Sequence, residues 1–585
     1  MTPRSARRPL SRSGRALFLT VVWAILLPAV ASAQALAEQT VVLGAPGETI
    51  RTAGGMVVSE HPEASRAGAD VLAAGGNAVD AAIATGLALA VTHPSAGNIG
   101  GGGFMVIRFP DGATTALDFR ERAPASAYPA MFSGADGEYS SEIHHRSHLA
   151  VGVPGTVAGF DKAHRLYGGM NWERLVYPSV VLAEDGFELS ERLAGSLAGF
   201  VGRNRYEATI QAFSDDGVVY EAGDTLRQYD LAQSLRRIML NRSAGFYEGE
   251  TARLIAEEMR RGGGMITEAD LLAYRARERA PIQGSYRGYD VISMPPPSSG
   301  GVAMVEMLEI LEGYDVESLG HNTSRSLHLI IESMRRAYRD RAVYLADPDY
   351  VDVPVHELVS EEHAALRRST IDRRQASVSS PADVDVGTES LETTHYSVVD
   401  ADGMAVSVTY TLEAGYGSGI VVPGAGFLLN NEMGDFNGQP GLTNESGLIG
   451  TEPNLARPGQ RMLSSMTPTI LARDGELVAV IGSPGGRTII NTVMQVVSNI
   501  IDHRMGFPEA IEAGRIHHQW LPDRVSVEQD ALSGATIQAL EAMGHTVSVR
   551  GRQGTAHSIM IDPDTGERIG TPDARSPASG AAGHR

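Results

Sequence analysis

The sequence changes character abruptly at residue 393, and this junction constrains the fold more than any other feature. Residues 370–392 are polar, acidic and poor in large apolar side chains, which is typical of a mobile linker. Residue 393 is a threonine, and from there short runs of alternating apolar and polar residues predict β-strands. The predicted strands cover residues 395–399, 404–411, 419–422, 467–471 and 477–481, and a helix is predicted over 488–505.

The chain before the linker is predicted to be largely helical between residues 155–345. Ahead of that span, residues 78–91 form an alanine-rich helical pattern whose small side chains would allow close packing against a sheet. Residues 104–109 and 114–120 have β character and flank an Asp-Gly turn, which predicts a hairpin. Because strands and helices occur in both halves, we expect an α+β fold of stacked sheets covered by helices.

A second hairpin is predicted directly after the junction. The strand 395–399 would return through a turn that ends at Gly403 and continue as the strand 404–411. If Gly403 takes the left-handed position of this turn, residue i pairs with residue 804 − i, and Thr393 lies opposite Thr411. A register shifted by one residue would place a tyrosine there instead. Facing threonines commonly do no more than stabilise a sheet, so the pair gains meaning only from its surroundings.

Three polar stretches downstream supply those surroundings. An apolar run beginning at Leu428 ends in the polar cluster of residues 430–435, and residues 463–468 read Leu-Ser-Ser-Met-Thr-Pro. Gly485 and Gly486 then separate a predicted strand from a predicted helix. Glycines at such a turn expose backbone N–H groups, which is how an oxyanion hole or anion nest is built, although a simple tight turn has the same sequence.

Composition removes several classes of chemistry. The 585-residue chain contains no cysteine, which excludes thiol nucleophiles, disulfides, iron–sulfur clusters and cysteine-ligated zinc. Lys162 is its only lysine, which excludes a P-loop and a lysine Schiff base elsewhere in the chain. Its 70 acidic against 49 basic residues give a net charge of -21, which argues against nucleic-acid binding. Hydroxyl, carboxylate, histidine and arginine chemistry remain.

The N-terminus has the pattern of a secretory signal peptide over residues 1–33. Arginines without any acidic residue precede the apolar stretch 17–30, and Ala31-Ser32-Ala33 is a small-residue cleavage site. A single-pass anchor is the alternative, but this stretch is shorter than the ~20 apolar residues that span a bilayer. We therefore expect an exported protein, periplasmic or secreted, that is not held in a membrane once the signal is removed.

The histidines are not spaced like metal ligands. They cluster at positions 144, 145 and 148, at 356 and 363, and at 517 and 518. The first group is expected in a solvated loop, because no carboxylate stands near it at ligand spacing. The second lacks the HExxH spacing of zinc proteases, and the third is interpreted as packing residues. No metal is expected.

Taken together, these stretches resemble the gamma-glutamyltranspeptidase family of N-terminal-nucleophile hydrolases over roughly residues 45–580. The resemblance rests on motifs that follow the family order, at 100–104, 118–121, 295–301, 393–396, 428–436, 463–468, 482–486 and 517–520. It implies a four-layer αββα sandwich made as an inactive precursor. The precursor would cleave itself between Glu392 and Thr393 into a large subunit, 34–392, and a small subunit, 393–585, that form a heterodimer.

The resemblance also implies the chemistry. Thr393 would be the nucleophile and its own α-amine the base. The substrates would be small γ-glutamyl compounds such as glutathione, with water, amino acids or dipeptides as acceptors, and no cofactor is implied. In the family pattern Thr411 orients the nucleophile, and Gly485 and Gly486 form the oxyanion hole.

The charged end of the donor has its own residues in the family pattern. Arg120 resembles the arginine that binds the substrate α-carboxylate, a task suited to a bidentate guanidinium. Ser464 and Ser465 resemble the hydroxyls that bind the same carboxylate. Glu432 and Asp435 resemble the acceptors for the substrate α-ammonium.

Two positions depart from the family pattern. Glu413 stands where well-known bacterial members carry asparagine. A carboxylate there would attract the donor ammonium and repel the donor carboxylate, so its effect on substrate range stays open. Ser446 stands where a gating tyrosine is often found, which predicts a more open pocket.

Two other functions are compatible with the same motifs. An acylase for glutaryl-type amides, such as a cephalosporin side chain, would not need acceptors for an ammonium, so Glu432 and Asp435 favour a γ-glutamyl donor. A non-catalytic exported binding protein of the same fold would be expected to lack Thr393, Arg120 or the serine pair, and all of these are present.

Overall fold

The computed structural model of the protein describes residues 1–2, 40–380, 393–442, 444 and 450–585. Almost all of the predicted signal peptide, Glu392 at the expected cleavage site, and Ser446 lie outside these residues. Across the described part of the chain, no helix is both long enough and apolar enough to cross a membrane.

Short strands are distributed over the whole described chain. In chain order they are β1 (Val41–Leu43), β2 (Ile50–Thr52), β3 (Met56–Ser59), β4 (Gly102–Arg108), β5 (Thr114–Asp118), β6 (Phe187–Glu188), β7 (Ser214–Asp215), β8 (Val218–Val219), β9 (Thr225–Leu226), β10 (Arg277–Arg279), β11 (Ile282–Tyr286), β12 (Tyr289–Ser293), β13 (Thr394–Val399), β14 (Ala405–Thr411), β15 (Thr469–Arg473), β16 (Glu476–Ile481), β17 (Ile516–His517), β18 (Val525–Glu528), β19 (Val547–Arg550), β20 (Ser558–Ile561), β21 (Arg568–Thr571) and β22 (Gly580–His584).

Helices separate these strands. They span Pro62–Ala73, Ala78–Thr92, Ser141–Arg146, Thr156–Tyr167, Trp172–Asp185, Glu191–Val201, Glu207–Ala212, Tyr229–Asn241, Ala244–Tyr247, Gly249–Gly262, Glu268–Ala273, Gly300–Glu312, Val316–Leu319, Ser324–Tyr344, Val355–Leu358, Glu361–Ser369, Thr488–Ile501, Phe507–Glu512 and Gly534–Ala542. Short 3₁₀ turns lie at His148–Ala150, Glu432–Asp435 and Glu452–Asn454.

Two large antiparallel sheets form the centre of the molecule. One has eight strands in the order β1-β22-β3-β13-β14-β4-β5-β10, and the other has seven in the order β11-β12-β15-β16-β20-β21-β2. The hairpin of β13 and β14 lies in the middle of the first sheet, between β3 and β4. Strands from before and after residue 393 therefore share one continuous sheet.

The eight-stranded sheet is buried on both faces. Met56 and Val58 belong to the core shared with the seven-stranded sheet, whereas Val57 between them belongs to the core shared with the outer helices. Neighbouring residues point to opposite faces of a strand, so one strand serves two cores. This explains why β13 and β14 are buried along their whole length, although both strands contain polar residues as well as apolar ones.

Helices close the stack on each side. Pro62–Ala73 and Ala78–Thr92 pack on the eight-stranded sheet, and Gly300–Glu312 packs on the seven-stranded sheet with Ser324–Tyr344 and Thr488–Ile501 beside it. Every residue of Ala78–Thr92 is buried, as its small side chains predicted. The four-layer αββα sandwich is confirmed.

The predicted register of the central hairpin is confirmed. Thr394 pairs with Tyr410 and Val399 pairs with Ala405, so residue i faces residue 804 − i throughout. Gly403 has φ +89°, the left-handed conformation that this turn requires. The hairpin of β4 and β5 is also confirmed.

The span 155–345 is largely helical, as predicted, and the short strands β6 to β12 interrupt it. Two other local predictions were wrong. Residues 419–422 form only the single bridge Val421–Leu428, since glycines at positive φ turn the chain on both sides. The helix predicted to reach residue 505 ends at Ile501, and Arg504 beyond it has φ +47°.

The described part of the predicted linker is attached to the fold. The Ser377 backbone N–H donates to Glu332 Oε1 at 3.1 Å, and the Ser379 N–H donates to Asp523 Oδ2 at 2.8 Å. Glu332 is itself buried between arginines on the helix Ser324–Tyr344. For residues 381–392, which lie outside the described ranges, mobility stays a prediction.

Candidate active site

One cavity collects the residues that the sequence singled out from distant parts of the chain. It is lined by Arg120, Thr393, Thr411, Glu413, Glu432, Asp435, Ser464, Ser465, Met466, Gly486 and Ile489. Of the predicted catalytic and substrate-binding residues, Gly485 alone is not in this lining, and it adjoins Gly486. The structure thus brings together the site that the sequence motifs indicated.

Thr393 lies immediately before β13 and is 7% exposed. Thr394 pairs with Tyr410, so continuing the hairpin register by one position places Thr393 opposite Thr411. Thr411 Oγ1 accepts a hydrogen bond from the Glu413 backbone N–H at 2.9 Å, and Asn98 Nδ2 donates to the Thr411 carbonyl at 2.8 Å. Asn98 therefore holds the end of β14 in place, a positioning contact that the sequence analysis missed.

The glycine turn lies between β16 and the helix Thr488–Ile501. Gly485 has φ +131° and Gly486 has φ +55°, conformations that favour glycine. A Cβ at Gly485 would meet Thr488 Oγ1 at 2.5 Å, so the turn has no room for a side chain there. Among the described residues, neither glycine N–H donates to another protein group. Backbone N–H groups without a protein acceptor are the kind of donor that stabilises an oxyanion, and Gly486 lines the cavity.

His395 connects the start of β13 to this turn. Its Nδ1 lies 2.9 Å from Thr409 Oγ1 and its Nε2 lies 3.1 Å from Ser397 Oγ. A Cβ at Gly482 would lie 2.2 Å from the imidazole ring, so the ring packs directly on the backbone that leads into the glycine turn. Burial holds the pKa of His395 well below its usual value, which makes it a neutral spacer and not a base.

Arg120 follows β5 and is completely buried. Its Nη1 contacts the Glu432 carboxylate and its Nη2 contacts the Asp435 carboxylate. Its Nε donates to the Met462 carbonyl at 3.3 Å. Burial alone would lower the pKa of Arg120, but the charges of Glu432 and Asp435 raise it, so the guanidinium stays protonated.

Glu121 adds a further carboxyl group beside Arg120. It is fully buried, 3.7 Å from Arg120 Nη1, and neither of its carboxylate oxygens accepts a hydrogen bond within the described structure. Burial raises the pKa of Glu121 to about 7, although the nearby guanidinium opposes this shift. Burial likewise raises the pKa of Glu432 well above its usual value. The two groups are close enough to titrate as a pair.

Hydrogen bonds from Ser299 and Arg341 hold Ser464 and Ser465 in place. The Ser299 N–H and hydroxyl both donate to the Ser464 carbonyl, at 2.7 and 2.6 Å. Arg341 donates to the Ser299 hydroxyl at 2.8 Å and to Ser465 Oγ at 3.1 Å. Arg341 comes from the buried helix Ser324–Tyr344, and nothing in its local sequence indicated this contact.

The histidines at 144 and 145 contradict the prediction of a solvated loop. They lie on the helix Ser141–Arg146, where Ser140 caps the first turn and His144 is buried. The aromatic ring of Phe132 lies 4.0 Å from the ring of His144, between centroids. His145 Nδ1 lies 3.3 Å from Glu413 Oε1, at the edge of the cavity. A six-residue helix is too short to show periodicity, so its sequence gave no indication of burial.

Among the described residues, two further buried clusters combine histidine with carboxyl groups. Asp340 contacts His363 Nε2 at 2.8 Å and the Arg367 guanidinium, and Glu306 lies beside them. Burial raises the pKa of Glu306 to about 8. A second group joins His328, Glu332 and His545.

His517 and His518 are buried and hydrogen-bonded to Asn491 and Asp523, which agrees with a packing role.

The cavity and fold agree with comparisons to known proteins. Residues 64–583 match the family model described as Gamma-glutamyltranspeptidase. The chain belongs to the gamma-glutamyltranspeptidase family. It is 47% identical over 541 residues to the glutathione hydrolase proenzyme of Escherichia coli (strain K12), covering 92% of this chain and 93% of that protein.

Solved structures give the same family and fold. The chain is 44% identical to Helicobacter pylori gamma-glutamyltranspeptidase, with a TM-score of 0.53, over 54% of this chain and 91% of that one. It superposes on a cephalosporin acylase from Bacillus halodurans with a TM-score of 0.81 at 29% identity, covering 92% and 96% of the two chains. The gamma-glutamyltranspeptidase fold is thus shared with acylases.

Proposed function

We propose that the protein is an exported γ-glutamyl hydrolase and transferase that activates itself by cleavage at Thr393. The observation that most supports this is the cavity, where Thr393 lies with Arg120, its carboxylate partners and the glycine turn. The similar Escherichia coli protein is named a glutathione hydrolase proenzyme, which agrees with both donor and maturation. Export rests on the signal-peptide pattern of residues 1–33.

Maturation begins when the Thr393 hydroxyl attacks the carbonyl carbon of Glu392. The C–N bond breaks, the acyl group moves to the threonine oxygen, and the nitrogen becomes an amine. Water then hydrolyses the ester, which restores the hydroxyl and leaves a carboxylate on Glu392. The large subunit 34–392 and small subunit 393–585 would stay together, because β13 and β14 are paired on both sides with β3 and β4.

Turnover uses the α-amine that cleavage releases on Thr393. An α-amine has a pKa of about 7.7–8.0, so near neutral pH a useful fraction can accept the hydroxyl proton. The oxygen then attacks the donor γ-carbonyl, and the N–H groups of Gly485 and Gly486 stabilise the oxyanion. The donor amine leaves with the proton. Water, or the amine of an amino acid or dipeptide, releases the γ-glutamyl group from the ester.

Donor recognition follows from charge. The α-carboxylate would bind Arg120 and the serine hydroxyls, and the α-ammonium would bind Glu432 and Asp435. These two carboxylates contact Arg120 directly in the structure. A zwitterionic donor end carries no net charge, so its carboxylate can pair with Arg120 and its ammonium with Glu432 and Asp435 without adding net charge to the cavity.

A glutaryl acylase is the second candidate, because the Bacillus halodurans cephalosporin acylase has a similar fold. A glutaryl group carries the carboxylate but no ammonium. It would leave the acidic side of the cavity uncompensated, which costs binding energy. The carboxylates of this site therefore favour the γ-glutamyl donor.

The test is the intact mass of the purified chain after incubation at neutral pH, beside Thr393→Ala and Thr393→Ser. Wild type should give two chains that separate between Glu392 and Thr393. Thr393→Ala should stay intact and lose activity on γ-glutamyl-p-nitroanilide by at least about 10³-fold, whereas Thr393→Ser keeps a hydroxyl and should still cleave. A folded wild-type chain that stays whole would overturn the proposal. Faster hydrolysis of glutaryl-p-nitroanilide would favour the acylase.

A further inference from the structure

The helix Ser141–Arg146 reaches the donor cavity through one side chain. His145 Nδ1 lies 3.3 Å from Glu413 Oε1. A carboxylate only accepts hydrogen bonds, so the Nδ1 of His145 carries the proton. Burial lowers the pKa of His145, and the ring is therefore neutral near pH 7. His145 is a neutral donor to a carboxylate that lines the cavity.

Asn431 completes the contact around Glu413. Its Nδ2 donates to the other Glu413 oxygen and, at 3.2 Å, to the backbone carbonyl of His145. Its Oδ1 accepts the Ala414 N–H at 3.0 Å. Both oxygens of the Glu413 carboxylate are thus held, one by each neighbour.

The backbone of Glu413 has an unfavourable conformation. Glu413 has φ +77°, a backbone conformation that residues other than glycine, asparagine and aspartate seldom adopt. Such a residue persists when its surroundings over-determine it. Here the Glu413 N–H is held by Thr411 Oγ1, and the carboxylate is held by His145 and Asn431.

The pair also packs on the turn that carries the acidic residues. A Cβ at Gly434 would lie 2.5 Å from His145 Nδ1 and 2.8 Å from Glu413 Oε1. His144 Nε2 donates to the carbonyl of Met433 in the same turn at 3.1 Å. The helix is therefore fastened to Glu432–Asp435 at two neighbouring residues, and Gly434 leaves the room for it.

We propose that His145 is a positioning residue of the donor site: it holds the Glu413 carboxylate beside Glu432 and Asp435, and so increases selectivity for donors with an α-ammonium over donors without one. This inference rests on the proposed γ-glutamyl function. Its physical basis is that a fixed third carboxylate attracts the ammonium, whereas a mobile one turns toward solvent and loses that attraction.

The experiment compares two near-isosteric replacements, His145→Leu and His145→Asn. Asparagine places an amide N–H close to where Nδ1 stood, and leucine removes the donor without changing the volume much. Glu142→Gln is the control, because this exposed residue lies on the same helix and carries a surface carboxylate. The readout is the ratio of kcat/KM for γ-glutamyl-p-nitroanilide to that for glutaryl-p-nitroanilide, with kcat and KM measured separately.

His145→Leu should lower the ratio about tenfold through a higher KM for the γ-glutamyl donor, with kcat within about threefold. His145→Asn and Glu142→Gln should stay within about twofold of wild type. A ratio unchanged in His145→Leu overturns the proposal, and so does an equal loss in His145→Asn. If His145→Leu does not fold, the test passes to Glu413→Gln. This variant should lower the ratio of kcat/KM values about tenfold, and an unchanged ratio in Glu413→Gln overturns the proposal.

The two proposals fail in different ways. Wild type that neither cleaves nor releases p-nitroaniline from the γ-glutamyl substrate contradicts the proposed function. Wild type that is fully active, with selectivity insensitive to His145, contradicts only the role of this residue.

Discussion

Two clusters of buried charge in this molecule differ in how completely they are neutralised. In the first, two arginines meet two carboxylates: Arg515 Nη2 lies 2.6 Å from Asp573 Oδ2, and Arg575 Nη2 lies 2.7 Å from Glu528 Oε2. Backbone N–H groups supply the remaining bonds, including that of Ala556 to Asp573 at 2.7 Å. Charge and hydrogen bonds are both balanced.

The cluster at the cavity is not balanced. Within the described structure Arg120 contacts three carboxyl groups, those of Glu121, Glu432 and Asp435. Both oxygens of Glu121 and one of Glu432 accept no hydrogen bond there. A surplus of buried carboxylate is costly unless a proton or an arriving cation compensates it.

This difference in charge balance distinguishes the structural cluster at Arg515 and Arg575 from the binding cluster at Arg120. A balanced set of buried charges gains nothing from a ligand, whereas an unbalanced set becomes satisfied when a complementary group enters. Glu432 and Asp435 line the cavity beside Arg120, so this cluster suits a donor whose ammonium pairs with these carboxylates while its own carboxylate pairs with Arg120. Matched substitutions in the two clusters test this distinction.

The largest contrast is expected from replacing each arginine by lysine. Arg120→Lys keeps the charge but loses the bidentate fork, so kcat/KM for the γ-glutamyl donor should fall about 10²–10³-fold, chiefly through KM. Arg575→Lys should leave the kinetic constants within about twofold and lower the free energy of unfolding by about 2 kcal/mol. Steady-state kinetics and denaturant unfolding measure both. If both variants fold and lose kcat/KM equally, the two clusters do not differ in function.

Removing one carboxylate from each cluster gives the next contrast. Asp435→Asn removes part of the acidic surplus and should cost about 100-fold in kcat/KM, with little change in stability. Asp573→Asn leaves Arg515 without its charge partner and should cost about 3 kcal/mol of stability with unchanged kinetics. If Asp435→Asn is as unstable as Asp573→Asn, the cavity cluster is structural after all.

The sequence predicted those parts of the site that depend on local rules. The register that places Thr393 opposite Thr411 follows from the two-residue period of a strand and from the left-handed Gly403. The glycine turn at 485 and 486 follows from its position between a strand and a helix. Both rules act over a few residues, so the chain alone carries them.

Contacts made across the fold could not be predicted in this way. Arg120 meets Glu432 across 312 positions, and the resemblance to a family, not any local rule, indicated that they share a site. Arg341 and His145 reach the site from helices whose own patterns gave no such indication. The charge balance of a cluster is a property of its assembled members, so it becomes visible only when the fold is known.

The smallest expected effect is on the pH dependence of stability. Replacing one carboxyl group in each cluster should change this pH dependence in opposite directions. Burial raises the pKa of Glu121 to about 7, in a pair with Glu432. The folded chain keeps a proton here that the unfolded chain releases near pH 4.5, so this group lowers stability progressively as pH rises from about 4.5 to 7. Glu121→Gln cannot ionise, and its Tm relative to wild type should rise by about 2 °C between pH 5 and pH 8.

Glu528→Gln supplies the reverse case. Burial alone would raise the pKa of Glu528, but its hydrogen bond and ion pair with Arg575 lower it. The stabilisation from this carboxylate is therefore present above the unfolded pKa and lost as pH falls. The Tm of Glu528→Gln should lie below that of wild type at pH 8, and the gap should narrow on acidification. Differential scanning calorimetry of both variants across pH 4–8 measures the two slopes. Slopes of the same sign would mean that the cavity carboxyls are neutralised by the protein itself and do not await a ligand cation.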